Sequence, residues 1–179
     1  MQNEVLKAIN ERRSIRAYTP DRLTDEQTNI LVRAALEAPS AVNRQPYHFT
    51  FVQSAETLSA FRNEAARLLK AQRPDMPEDF DILRGAPCVC FVFADTENTW
   101  SPIDTGIAVE NMALAAHSIG LGSVILGMPR AVFEANAETW KPRLECPEGY
   151  EFCVAIAFGV PAGTKEAHPV REGLVSFID

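Results

Sequence analysis

The stretch from Ser101 to Ile119 constrains the fold more than any other part of the chain. It opens as a helix start should, with Ser101 as cap, Pro102 at the first helical position and Asp104 near the positive helix end. Gly106, Ala108, Met112, Ala113, Leu114, Ala115 and Ala116 then leave almost no polar face. Such a helix is buried on most sides, and its small residues let another element approach closely. Two placements are open. It is either the core helix of one chain or a helix at a subunit interface. The 179 residues suit a single domain (1–179) with one core, which rarely needs so apolar a helix.

The remaining elements follow from local patterns. Val5, Leu6 and Ile9 stand at helical spacing within residues 3–11. Thr24 and Gln27 form a capping-box signature for a helix ending before Pro39. A polar loop from Pro39 to Pro46 feeds the strand His48–Val52, and Ser54 caps a helix to about Lys70. Residues 72–81, with Pro74 and Pro77, read as a loop. Pro87 to Ala94 is nearly continuous in apolar residues, the mark of a central strand. Gly120 ends the long helix, and Gly120–Gly127 reads as a strand. A helix over about Ala131–Thr139, a last strand over Glu151–Val160 and a polar tail complete the chain. The tail ends in Leu174, Val175, Phe177 and Ile178, so it is expected to dock on something. Clustered helices fit an α+β fold better than strict βαβ alternation.

Composition removes several classes of function. A net charge of -7 argues against general nucleic-acid binding, because phosphate backbones demand a basic face. No apolar run reaches the roughly 20 residues of a membrane span, and the N-terminus lacks signal-peptide regions, so a cytoplasmic location is expected. The four cysteines contain no C-x-x-C pair, and the three histidines lack metal-ligand spacing, so no metal is expected. Neither a P-loop, nor a complete G-x-G-x-x-G fingerprint, nor a G-x-S-x-G elbow is present. Any chemistry is then lent by a cofactor.

Against this acidic background, Arg12, Arg13 and Arg16 concentrate positive charge within five residues. In an extended segment Arg12, Ser14 and Arg16 share one face. Two guanidinium groups flanking a hydroxyl suit a phosphate, and a solvated basic patch is the alternative.

Four motifs stand in one order: Arg12-Arg13-Ser14-Ile15-Arg16, then Ala38 to Tyr47, then Glu110 to Ala116 leading into Gly120-Leu121-Gly122-Ser123, then Phe158-Gly159-Val160-Pro161 with a later Arg171. From about residue 4 to 173 this resembles the compact members of the FMN-dependent nitroreductases. The resemblance implies a nitroreductase-like α+β fold, with a central, mostly antiparallel sheet flanked by helices, and an intertwined homodimer with shared FMN sites. It places Arg12, Ser14 and Arg16 by the flavin phosphate, ribityl chain and pyrimidine carbonyl, with Arg13 acting mostly through its backbone. Pro39, Ser40 and Asn43 would lie against the flavin of the other subunit. For Asn43 the residues alone also allow a loop-capping Asx-turn.

Ile125, Leu126 and Gly127 match the backbone that passes the flavin N5, although Gly127 also reads as a plain strand-end glycine. Arg171 matches a cation that reaches the phosphate. Pro169 stands where the family often has lysine, so Lys165 or His168 is the substitute to look for, and Tyr47 stands where tryptophan is common. The implied activity is hydride transfer from NADH or NADPH through FMN to nitroaromatic, quinone or similar small electron acceptors, with no catalytic acid or base side chain identified. A flavin-binding or redox-sensing protein, or a member with a dedicated dehydrogenation or flavin-breakdown reaction, is the alternative.

Overall fold

The computed structural model describes residues 3–77, 80–167 and 169–178. In chain order the elements are α1 (Glu4–Glu11), α2 (Asp25–Leu36), β1 (Tyr47–Val52), α3 (Ala55–Gln72), β2 (Cys88–Asp95), α4 (Ser101–Ser118), β3 (Gly122–Leu126), α5 (Arg130–Arg143) and β4 (Tyr150–Gly159). A single 3-10 turn, Ala41–Asn43, interrupts the loop before β1. The strands form one sheet in the order β1-β2-β4-β3, and each neighbouring pair is antiparallel. The expected α+β fold with helices flanking an antiparallel sheet is what the chain adopts.

The sheet is covered on both faces, which explains the unbroken apolar run of β2. Val89, Phe91 and Phe93 point into a cluster with Leu58, Phe61, Ala65 and Leu69 of α3 and Val132, Phe133 and Trp140 of α5. Cys88, Cys90 and Val92 point the other way, against Leu31 and Ala35 of α2 and Val109, Met112, Ala113 and Ala116 of α4. This is period-two alternation with a core on either side. Each fully buried Val, Leu or Phe contributes about 1.5–3 kcal/mol. A register shift opposite Val92 and Phe93 leaves Cys153 of β4 as an extra residue, a β-bulge.

Local chemistry sets the element ends. Thr24 and Gln27 make the reciprocal capping box, and Ser54 caps α3 through the Thr57 amide. Helix α4 ends in a Schellman motif. Gly120 has φ +79, its amide donates to the His117 carbonyl, and the Leu121 amide donates to the Ala116 carbonyl. This turn uses up the first residues of the expected Gly120–Gly127 strand, so β3 begins at Gly122.

Two other expectations change. Trp100 holds the cap position of α4 without a side-chain bond, and Ser101 lies inside the first turn, buried. Asn98 takes the capping role upstream, since its Oδ1 accepts from the Trp100 amide at 3.0 Å and its carbonyl accepts from the Ser101 amide. Helix α5 runs past the expected end at Thr139 to Arg143, and it is kinked at Asn136 within the expected stretch.

Helix α4 is also less enclosed than its composition suggests. Its inner face is buried, but Ile103 and Ile107 are exposed, as are Val5, Leu6 and Ile9 of α1. Leu174, Val175, Phe177 and Ile178 of the tail are exposed as well.

Burial decides the chemistry of the core thiols. It pushes Cys88 up to about 12, slightly offset by the charge of Arg22, and raises Cys90 well above the usual thiol range. The folded Cys88 thiol therefore holds its proton more tightly than the unfolded one, whose value is near 9.0. Its contribution to stability is complete below that pH and is lost as the pH rises towards 12. At pH 8 a thiol reagent such as DTNB should leave Cys88 and Cys90 unmodified until the protein is denatured. Rapid native labelling of Cys90 would contradict the burial.

Candidate functional site

The arginine segment begins where α1 stops. The Arg12 amide donates to the Ala8 carbonyl at the helix end, after which the chain runs extended. Ser14 bridges Ser123 in parallel, and the Ile15 amide donates to the Ser123 carbonyl at 2.9 Å. The segment is thereby fastened to β3, an edge strand of the sheet. Ile15 turns inward onto Gly122, so alternation directs Ser14 and Arg16 to the opposite side. The Tyr18 hydroxyl donates to the Ile15 carbonyl at 2.6 Å, and burial raises the pKa of Tyr18, with Arg16 lowering it less.

The three guanidinium groups have different surroundings. Arg12 is half-buried, with Nε 3.3 Å from Glu110 Oε1 of α4. That Nε has no aligned hydrogen bond, so the ion pair leaves a buried donor unmatched. In this partly exposed setting the pair contributes about 0–1 kcal/mol. Arg13 folds back on α1, its Nη1 donating to the Asn10 carbonyl at 2.7 Å and the Arg12 carbonyl at 2.8 Å. Its charge complements the negative end of that helix. Arg16 is exposed, and among the described residues a long 3.3 Å bond from Nη1 to the Ser14 carbonyl is its one hydrogen bond.

Beside the segment lies a cavity of about 360 Å³ lined by Arg12, Arg13, Ser123 and Lys165, among others. Lys165 thus shares a space with two of the arginines, whereas Arg171 sits farther along the exposed tail and does not line it. His168 lies outside the described residues. Ser14 and Arg16 adjoin the cavity along the chain without lining it. A phosphate fits this donor set. It would meet the cations of Arg12 and Lys165.

On the same strand, Ile125 is 46% exposed, Leu126 is buried and Gly127 is exposed. A Cβ at Gly127 would meet nothing within 4 Å, so a planar ligand could approach its backbone from open space. Ser123 and Ile125 are two residue steps apart along the strand, about 7 Å. The arginine segment and Ile125–Gly127 are therefore brought together within one chain.

Pro39, Ser40 and Asn43 are not brought to them. Their loop leads into β1, and three strand spacings separate β1 from β3, about 14 Å. The loop is tightly organised. Ser40 Oγ accepts from the Gln45 amide at 2.9 Å, and Asn43 Oδ1 accepts from Gln45 Nε2 at 2.9 Å. Asn43 thus makes a side-chain bond where an Asx-turn would bond a backbone amide, and its own amide group remains the donor it can offer.

Sequence patterns missed two carboxylates. Glu110 faces Arg12, and Asp104 accepts from the Ala41 amide across 63 positions. Capping logic could place Asp104 at a helix start, but its partner is set by packing.

The Gly122–Ile15 contact gives a direct test of how the segment is seated. A Cβ at Gly122 would lie 2.9 Å from Ile15 Cβ, at the root of that side chain. Gly122→Ala must therefore push the segment off β3, at a cost of about 1–3 kcal/mol. Thermal unfolding should show the loss, and anion binding at the displaced arginines should weaken with it. A variant as stable as the parent would mean the segment is loosely held.

Comparison with known proteins identifies the family of the fold. The profile described as the nitroreductase family matches residues 9–160. A protein of Archaeoglobus fulgidus, provisionally named NADH dehydrogenase/NAD(P)H nitroreductase, is 33% identical over 172 residues, 91% of this chain and 88% of its own. The NADPH-flavin oxidoreductase of Vibrio harveyi is 31% identical over 175 residues, covering 93% of this chain and 70% of its own. The crystal structure of a nitroreductase with bound FMN from Desulfitobacterium hafniense superposes with a TM-score of 0.92, at 30% identity and over 100% of both chains. With its profile match, its relatives and its fold in agreement, the chain belongs to the nitroreductase family.

Proposed function

We propose that this chain is an FMN-dependent NAD(P)H oxidoreductase acting as a homodimer on small electron-poor acceptors such as nitroaromatics or quinones. The observation that carries this reading is the arginine segment fastened to β3 beside the exposed backbone of Ile125–Gly127. The flavin-linked names of the relatives support it, and so does the FMN bound in the superposing crystal structure.

FMN, when bound, supplies hydride acceptance from NADH or NADPH and hydride donation to an acceptor that then enters the same pocket, a ping-pong cycle. Binding and electrostatics fall to the protein. Arg12 and Lys165 would hold the phosphate, with Ser14 beside them towards the ribityl chain, and Arg13 would contribute backbone while its guanidinium closes α1. Arg171, which does not line the cavity, would reach the phosphate only if the exposed tail folds back over it. Arg16, exposed and lightly restrained, places a cation at the pyrimidine edge, where it favours the electron-rich form of the ring. Ile125, Leu126 and Gly127 pass the reacting face with backbone alone. No acid or base side chain is assigned.

A second copy completes the site. Pro39, Ser40 and Asn43 sit at the sheet edge opposite the arginines, a placement that supports their meeting a flavin held by the Arg16 of another protomer. The exposed apolar residues of α1, α4 and the tail are the surfaces such a dimer would cover.

The purified protein should be yellow, and NADH or NADPH should bleach the bound flavin. A colourless protein that fails to take up added FMN would overturn the reading. Arg16→Ala should weaken FMN binding about tenfold, about 1.4 kcal/mol, without changing the dimeric sedimentation of the parent. Unchanged affinity would remove Arg16 from the site.

A further inference from the structure

The loop from Ala38 to Pro46 adopts a backbone that its own residues do not favour. Val42 has φ 47, Asn43 φ 55 and Gln45 φ 49, all in the left-handed region. For a β-branched residue such as Val42 that region is a real outlier, and conformations of this kind persist only where their surroundings impose them. Burial does not impose it here, since Val42 is 86% exposed. The constraint must come from groups that grip the loop.

Two groups outside the turn do so. Both carboxylate oxygens of Asp104 lie 3.2 Å from the Ala41 amide. Asp104 is only 3% exposed, so this bond is made away from water, where leaving either group unpaired is costly. The Tyr47 hydroxyl, also buried, donates to the Ala38 carbonyl at 3.2 Å and fixes the start of the loop. Asp104 belongs to the first turn of α4, where the positive helix end favours its charge. Yet its oxygens are directed to an amide 63 positions away in sequence, so its bond serves the loop rather than the helix.

We propose that Asp104 is a positioning residue. It holds the Pro39–Asn43 loop in the shape in which Ser40 and Asn43 meet the flavin of the partner protomer, and Tyr47 secures the loop's entry. This rests on the flavin reading given above. It adds that α4 serves two sites at once. Glu110 meets Arg12 of its own site, and Asp104, six residues earlier and about 9 Å along the axis, shapes the site of the partner.

The test uses the full-length dimer and FMN binding followed by flavin fluorescence. Asp104→Ala should raise the Kd for FMN at least tenfold. Asp104→Asn, which keeps an acceptor oxygen for the Ala41 amide, should stay within threefold of the parent. The decisive sample is a mixed dimer, isolated with two affinity tags, of one Arg16→Ala protomer and one Asp104→Ala protomer. If Asp104 acts across the interface, both defects fall in one site and the other site is intact. One FMN per dimer should then bind with the parent's affinity.

Two weakened sites in the mixed dimer would overturn the proposal, as would parent-like binding by Asp104→Ala. Should Asp104→Ala not fold, Tyr47→Phe takes its place in the same mixed dimer. It removes only the hydroxyl bond to Ala38, and a severalfold loss confined to the partner's site is expected, with parent-like binding overturning the clamp. A parent protein that binds no FMN would instead fail at the earlier step and overturn the flavin reading together with this one.

Discussion

The packing of α4 against the sheet is the interaction on which the rest of this structure depends. Val109, Met112, Ala113 and Ala116 bury one side of the helix against Cys88, Cys90, Val92, Ile156 and Phe158. The small side chains let α2 approach the helix closely, with Leu31 and Ala35 in the same cluster. With that face fixed, every other contact of α4 has a set direction. Asp104 meets the loop before β1, Glu110 meets Arg12, and the Schellman turn at Gly120 delivers the chain into β3.

Edge geometry decides what that scaffold can bind. β1 and β3 are the outer strands, and each carries one half of the candidate flavin site beside it. A single chain therefore displays the arginines and Ile125–Gly127 along one edge and Pro39–Asn43 along the other. In the proposed two-fold dimer each edge would meet its complement on the other copy. The exposed flank of α4, with Ile103 and Ile107, lies on the helix between them. One face of α4 is core, and Ile103 and Ile107 on the other are exposed, as the proposed dimer requires.

Much of this was legible in local patterns. The continuous run of β2 announced a strand with apolar neighbours on both faces, and the capping box at Thr24 marked the start of α2. Arg12–Arg16 was legible as a charge cluster because three cations in five residues stand out in an acidic chain, although Arg13 proves to close the end of α1. Other details were hidden for identifiable reasons. Ser101 reads as a cap by type, but Asn98 two residues upstream of Trp100 made the competing bond and left Ser101 to be buried. The kink at Asn136 has no proline or glycine at that position to signal it. Lys165 was one of two substitutes that spacing could suggest, and only the course of the chain after β4 put it in the cavity of Arg12.

By itself, then, the sequence determined the elements, the two-sided core and the chemistry on offer, because helix caps, apolar periodicity and charge are properties of neighbouring residues. The tertiary structure decided which charges answer one another. Glu110 with Arg12, Asp104 with the Ala41 amide and Ser14 with Ser123 are pairs formed by residues far apart in the chain. Their partnership depends on how α4 and β3 are oriented against the sheet, and that orientation is set by close packing rather than by any local pattern.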